Sequence, residues 1–222
     1  MKKLVAVIGL GRFGVSVATT LQRLGHDVLA IDSDEKSVQN IAAQLPHAVQ
    51  ADATNEAVLK ELEIKNFDVA IVAMGSDVES SVLATILVKS LGVKHVIARA
   101  NDALHGSILE RIGADSVVYP EREMGVRTAH RMMLREVSDY MSVIDRYGIV
   151  KLAAPGRFVD KRLSEVGFGP GGKVEVGVLL IQRKKEVIVS PGPEEEIRAG
   201  DVLILAGNDD SIERLLTEGR QE

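Results

Sequence analysis

Over the first 120 residues, short apolar runs alternate with longer stretches whose apolar positions recur at three- and four-residue spacing. The runs are Leu4–Ile8, Val28–Ile31, Ala48–Gln50, Val69–Ala73, Val96–Ala98 and Ser116–Val118. They are rich in β-branched residues and nearly continuous, which predicts strands buried on both faces, as in a parallel sheet. Between them, Phe13–Leu24, Asp34–Ala43, Asn55–Leu62, Val78–Leu91 and Ala103–Ile112 predict helices. Such alternation implies an α/β fold: a Rossmann-like parallel sheet doubly wound by helices through right-handed crossovers. Gly25, Gly92 and Gly113 stand just past predicted helix ends, inside the similar phrases Leu24-Gly25-His26-Asp27, Leu91-Gly92-Val93-Lys94 and Ile112-Gly113-Ala114-Asp115. These read as recurring helix-to-strand turns.

Pro120 closes the sixth run, and Glu121 to about Val137 predicts one more helix, with Met124, Ala129, Met132 and Met133 on its apolar side. From about Tyr140 the pattern changes. Met141–Asp145 and Ile149–Ala153 flank Arg146-Tyr147-Gly148 as a hairpin, and Asp160–Val166 reads as a short helix. Gly167–Gly172 is loop, Val174–Gln182 and Val187–Val189 flank a polar turn, Asp201–Leu205 is a last strand and Asp209–Leu216 a last helix. The expected organisation is a Rossmann-type domain over 1–138, linker helix included, and a smaller α+β C-terminal domain over 139–222.

Composition narrows the function classes. A net charge of −5 gives no general attraction to nucleic acid or anionic lipid. The absence of cysteine excludes disulfides, thiolate nucleophiles and cysteine zinc sites. Aromatics at 3% disfavour stacking platforms for single strands. The start, Met1-Lys2-Lys3 before Leu4–Leu10, mimics a signal peptide, but Arg12 interrupts it and no cleavage site follows. No stretch approaches the ~18 apolar residues of a membrane span, so any membrane role is expected from the cytoplasm, through a partner.

Gly9-Leu10-Gly11-Arg12-Phe13-Gly14 is a G-x-G-x-x-G turn between a predicted strand and a predicted helix, and Asp32 ends the second strand 18 positions after Gly14. Together these form the dinucleotide-binding fingerprint. Gly9 permits the tight turn, Gly11 clears the phosphate approach and Gly14 lets helix and strand pack closely. The helix N-terminus offers unpaired N–H groups and a positive dipole end to phosphate. Asp32 can accept from both ribose hydroxyls and would repel a 2′-phosphate. Ser33-Asp34 supplies no adjacent Arg, so NADP is disfavoured while NAD(H), ATP, ADP and AMP remain.

Arg12 stands in the first helical turn, where a cation is disfavoured unless it meets additional anionic charge such as a β- or γ-phosphate. Other polar groups fall at strand C-terminal ends, where ligands of such sheets bind: Asp52-Ala53-Thr54, Met74-Gly75-Ser76-Asp77, Arg99 and Glu121. Thr54, Asn55 and Asp77 also suit helix capping. Arg12, Arg99 and Glu121 together suit a polyphosphate with or without a divalent cation. Catalytic chemistry is not evident. Of the histidines, His26, His47 and His95 fall at strand entries, opposite the ligand edge; His105 and His130 complete the set. No H-E-x-x-H, nucleophile elbow or P-loop occurs, which favours binding over catalysis.

The phrases Val5–Gly14, Leu24–Asp32, Asp52–Glu56, Ile112–Asp115 and Pro120–Gly125 closely resemble the KtrA/TrkA-type regulators of potassium uptake. Ser190-Pro191-Gly192-Pro193 and Gly200-Asp201-Val202-Leu203 resemble that family's C-terminal RCK-type module. The resemblance implies a cytoplasmic RCK (KTN) regulatory subunit, forming homodimers and commonly octameric rings beneath a membrane potassium channel or transporter subunit. It implies ATP and ADP competing for the Rossmann site, with NAD(H) bound in some members. Arg12 would then meet the γ-phosphate, Asp32 the ribose, and Glu121 the terminal phosphates and their divalent cation. In some members the C-terminal module binds cyclic di-AMP. The residues alone leave two alternatives open. One is an NAD-dependent oxidoreductase. The other is a redox-responsive DNA-binding regulator, against which the acidic balance weighs.

Overall fold

A computed structural model of the chain describes residues 1–75, 77–133, 137–169 and 175–217. The chain divides into two compact units, Met1–Glu121 and Arg122–Glu222. In the first unit, β1 (Leu4–Ile8), β2 (Asp27–Asp32), β3 (Ala48–Gln50), β4 (Val69–Val72), β5 (His95–Arg99) and β6 (Ser116–Val118) form one sheet in the order β3-β2-β1-β4-β5-β6. Every pairing in it is parallel. The order reverses between β1 and β4, and such a switch point opens a crevice at the strands' C-terminal ends.

Helices α1 (Arg12–Arg23), α2 (Glu35–Ile41), α3 (Glu56–Glu61), α4 (Val78–Ser90) and α5 (Ala103–Arg111) cover this sheet. The continuous apolar runs supply a core on each face. Ala6 and Ile8 of β1 join Leu59, Ala84 and Val88, whereas Val5 and Val7 join Ala18, Ile41 and Leu45. Burying one side chain such as Ile8, 1% exposed, contributes about 1.5–3 kcal/mol. The expected helix-to-strand turns form: Gly25, Gly92 and Gly113 all have positive φ. In the first of them, Gly25 N–H donates to Gln22 and His26 N–H to Leu21, which satisfies the last carbonyls of α1.

Helix α6 (Pro120–Met133) begins in the first unit and continues in the second. The second unit's strands are β7 (Val137–Ile144), β8 (Tyr147–Ala153), β9 (Val176–Arg183), β10 (Glu186–Val189) and β11 (Val202–Asn208). They form an antiparallel sheet in the order β10-β9-β11-β8-β7. Its inner face buries Val150, Leu152, Leu203 and Leu205 with Ile212, Leu215 and Leu216 of α8 (Asp209–Thr217). Alternate positions of β8 are buried, as expected when one face is covered.

Three expectations for this part need correction. Val137 opens β7 instead of ending the preceding helix. The hairpin turn is shorter than expected, because Tyr147 and Gly148 already belong to β8, and the Tyr140 ring packs where a Cβ on Gly148 would stand. The expected helix over Asp160–Val166 is reduced to α7 (Leu163–Val166). Asp160 has φ of 61°, and the backbone of Asp160, Lys161 and Leu163 is bonded to Ile197 and Glu195, so tertiary pairing displaces helical bonding. The end of the expected linker helix at 134–136, the loop at 170–172 and the expected strand start at Val174 lie outside the described residues.

Candidate functional site

The glycine turn hangs between neighbouring strands: Gly9 N–H donates to Ile31 and Ala73 N–H to Ile8. Gly9 has φ of 95°, a left-handed conformation, and a Cβ there would press on Met74 and the backbone of Ala73. Gly14 is buried, and a Cβ on it would stand 1.8 Å from the Gly9 carbonyl oxygen, so the close approach of α1 to β1 requires glycine. Gly11 differs. A Cβ on it would meet nothing within 4 Å among the described residues, so its side opens outward.

Capping sets α1 apart. Asp34, Asn55, Asp77 and Asp102 accept from the first-turn N–H groups of α2, α3, α4 and α5 respectively. The Ser37 and Ser80 hydroxyls and N–H groups hold the Asp34 and Asp77 carboxyls below the usual range. By contrast α1 starts at Gly11, with no side-chain cap and no acidic residue in its first turn. Its orphan N–H groups and positive dipole end therefore face outward with Arg12 beside them, an arrangement suited to phosphate. Arg12 is exposed and makes no ion pair or side-chain hydrogen bond among the described residues.

Asp32 ends β2 at the turn. Its Oδ2 accepts the Leu10 N–H at 2.5 Å and its Oδ1 accepts the Asp34 N–H at 2.8 Å. The carboxylate thus braces the glycine turn as well as standing where a ribose would lie. Each oxygen keeps further acceptor capacity for hydroxyls. Asp32→Ala is expected to weaken adenine-nucleotide binding about 10- to 100-fold, equivalent to ~1.4–2.8 kcal/mol, as measured by calorimetric titration with ADP. Unchanged affinity would remove Asp32 from the site.

Four of the sequence-predicted residues meet at the ends of β4, β5 and β6. The Arg99 guanidinium lies over the Phe13 ring, 6.0 Å from its centroid, and packs where a Gly75 Cβ would be. Its Nη2 pairs with Glu121 Oε1 at 2.5 Å. Arg99 Nε is buried without a partner among the described residues. Met74 borders Gly9. The remaining predicted positions are less directly engaged. Ser33 is exposed, with its carbonyl accepting from Gln50. Ala53 is buried in the core. Asp52 accepts both the hydroxyl and the N–H of Thr54, which hold its carboxyl below the usual range. Ser76 lies outside the described residues.

Sequence reasoning missed Asn101, whose side-chain amide donates to the Gly75 carbonyl and braces the loop after β4 against the end of β5. An Asn just after a strand reads as ordinary turn chemistry, so its partner 26 positions away gave no local signal. His105 is buried at 2% exposure, with Nδ1 accepting from Asn101 N–H, and burial pushes its pKa down. Among the described residues no three His, Asp or Glu side chains are placed to hold a metal ion. A cavity of about 230 Å³ lies in the second unit, bordered by His130, Tyr140 and Asp209, and not at the glycine turn.

Two family models match the chain, the TrkA-N domain over residues 5–120 and the TrkA-C domain over residues 148–218. The chain is similar to the Ktr system potassium uptake protein C of Bacillus subtilis (strain 168), 40% identical over 96% of each chain. It is 38% identical to the Ktr system potassium uptake protein A of the same organism, covering 98% of this chain and 97% of that one. In fold it is similar to the GsuK channel bound to NAD, with a TM-score of 0.67 at 18% identity over 100% of this chain and 41% of that one. The expected doubly wound parallel sheet and smaller second domain therefore hold. The chain belongs to the TrkA/Ktr family of potassium-uptake regulators, with a TrkA-N domain followed by a TrkA-C domain.

Proposed function

We propose that the chain is the nucleotide-sensing regulatory subunit of a membrane potassium transporter, and that exchange of ATP for ADP at the glycine turn shifts its conformation. The observation that carries this reading is the uncapped start of α1, open at Gly11 and flanked by Asp32 on one side and by Arg99 with Glu121 on the other. NAD(H) shares the adenosine and pyrophosphate chemistry and is a further ligand of the same site. Gly9, Gly11, Phe13, Gly14, Asp32, Ser33, Asp52, Ala53, Thr54, Met74 and Gly75 would line the adenosine and inner phosphates, with Arg12, Arg99 and Glu121 at the outer ones. A divalent cation fits as a ligand of phosphate oxygens and the single Glu121 carboxylate, the donor set Mg²⁺ commonly takes.

Regulation follows from differential affinity alone: a nucleotide shifts an equilibrium only as far as it binds one conformation better. A coupling of about 1–3 kcal/mol per site is typical. Exposed Val78, Leu83 and Ile86 on α4 with Leu104 on α5 support assembly with further copies of this chain, as dimers and an octameric ring. No helix among the described residues is long and apolar enough to cross a membrane. The chain would therefore reach the membrane potassium subunit as a partner at its cytoplasmic face. We place the functional division at 1–138 and 139–222, with α6 as the connecting element and the second domain as the place for cyclic di-AMP.

Calorimetric titration with ATP, ADP, NADH and cyclic di-AMP, with molar mass by light scattering, tests the reading. Micromolar binding of at least one adenine nucleotide is expected; no affinity for any of them would end it. Arg12→Ala is expected to bring the ATP and ADP affinities within about threefold of each other, since the loss of one charge-assisted phosphate contact removes ~1.5–3 kcal/mol. Retained discrimination would assign the γ-phosphate to another residue.

A further inference from the structure

We propose that Arg99 acts as a counterion-exchange latch: it holds Glu121 until the terminal phosphate of a bound nucleotide takes its place, which unties the first turn of α6. The inference rests on the nucleotide-binding reading above and adds its regulation.

The two partners are held very differently. Arg99 is largely covered, its side chain 18% exposed, with the guanidinium 6.0 Å from the Phe13 ring centroid and packed where a Gly75 Cβ would stand. A guanidinium takes an anion through its N–H edges. Glu121 holds one of them, and Nε is buried with no partner among the described residues. Glu121 is 63% exposed, so the pair has a surface-like partner that is readily exchanged. A terminal phosphate carries more charge than a carboxylate and offers more acceptor oxygens for a bidentate grip on the guanidinium.

The location makes such an exchange consequential. Phe13 belongs to the uncapped first turn of α1, and Gly75 follows β4 on the far side of the switch point. Arg99 therefore lies beside the place where phosphates on the α1 amides would end. Glu121 is the second residue of α6 and the last residue of the first compact unit. The described side-chain hydrogen bonds of α6 are the Arg99–Glu121 pair in the first unit and those of Arg127 to Asp139 in the second. Losing the former frees the helix at the point where the chain leaves the nucleotide-binding unit.

The test is a double-mutant cycle on the full chain, with Arg99→Gln, Glu121→Gln and both together, each checked for native circular dichroism and titrated with ADP and ATP free of divalent cation, so that Glu121 acts through Arg99 and not through a bound metal. Glu121→Gln is expected to tighten ADP at least about fivefold when Arg99 is present, and to change it little when Arg99 is Gln. Plain repulsion between Glu121 and phosphate predicts equal tightening in both backgrounds, and that result would overturn the latch. Arg99→Lys keeps the charge without the fork, and is expected to restore part of the coupling. Hydrogen exchange gives a reading independent of affinity. The amides of Met124–Arg127 are expected to exchange faster on saturation with ADP in the native chain, and to be fast without nucleotide in Arg99→Gln. If the native chain binds ADP and these amides do not respond, the latch is wrong and the nucleotide reading survives. If it binds no adenine nucleotide, both fall.

Discussion

Gly14→Ala is expected to cost about 3 kcal/mol of stability or more and to abolish nucleotide binding, because overpacking against rigid backbone cannot be relieved by a side-chain rotation. The added methyl would stand 1.8 Å from the Gly9 carbonyl oxygen and 3.2 Å from the Ala73 Cβ. Gly9 cannot retreat, since its N–H is bonded to Ile31 of β2, and its own left-handed φ fixes the turn. The first turn of α1 must move away from β1, taking the phosphate-facing amides with it. Thermal unfolding should report a loss of roughly 10 °C for a unit of this size. Gly11→Ala supplies the control. Its methyl would meet nothing within 4 Å among the described residues, so stability should change by no more than about 0.5 kcal/mol, while the methyl stands in the space left for phosphate. Both variants should lose ADP affinity by calorimetry, and only Gly14→Ala should lose stability. If Gly11→Ala bound ADP as the native chain does, the turn would not be the phosphate site.

Arg183→Met is expected to destabilise the second unit by about 3–5 kcal/mol, the usual consequence of removing one partner from a buried ion pair. Arg183 clamps Asp201 through Nε–Oδ1 at 3.1 Å and Nη2–Oδ2 at 2.9 Å, and reaches Glu195 Oε1 at 3.0 Å and the Glu196 carbonyl at 2.7 Å. The Asp201 side chain is 1% exposed, and without Arg183 only the Arg198 N–H at 2.9 Å would remain bonded to it among the described residues. The cluster ties the end of β9 to the segment that leads into β11. Urea unfolding of the full chain measures the loss, and an unaltered second-unit transition would contradict it.

The same pair predicts a pH dependence. Burial alone would raise the Asp201 carboxyl, but the Arg183 guanidinium and the Arg198 N–H outweigh it and hold the carboxyl below its ordinary value. A depressed native pKa contributes stability above the unfolded value, about 3.9 for Asp, and that stability is lost as pH falls through the native pKa. The native chain should therefore weaken below about pH 4 through this group. In Arg183→Met the buried carboxyl loses its cation and favours protonation, so the deficit relative to the native chain should shrink between pH 7 and pH 4.5. A deficit independent of pH would mean that Arg183 acts through packing alone.

Much of the first unit was legible because its signals are local. Continuous β-branched runs need burial on both faces, and Val5, Ala6, Val7 and Ile8 are indeed buried on alternate sides of one strand. Asp34, Asn55, Asp77 and Asp102 cap helices because short polar side chains reach the first-turn amides of their own helix. The second unit was less legible. The Asp160–Arg162 segment has a helical composition, yet its amides and carbonyls are taken by residues some 35 positions away, as in the bond from Asp160 N–H to Ile197. Local propensity of a few tenths of a kcal/mol per residue cannot outweigh such pairing.

The sequence by itself determined the glycine turn, the acid at the end of the second strand and the alternation that builds a doubly wound sheet, because each depends on backbone conformation or side-chain period within a few residues. Only the tertiary structure decided that Asp32 braces Leu10, that Asn101 holds Gly75, and that Arg99 lies over Phe13 while gripping Glu121. These groups stand 22 or more positions apart. They meet because parallel strands bring their C-terminal ends to one edge, and nothing in the local chain records which side chains will face each other there.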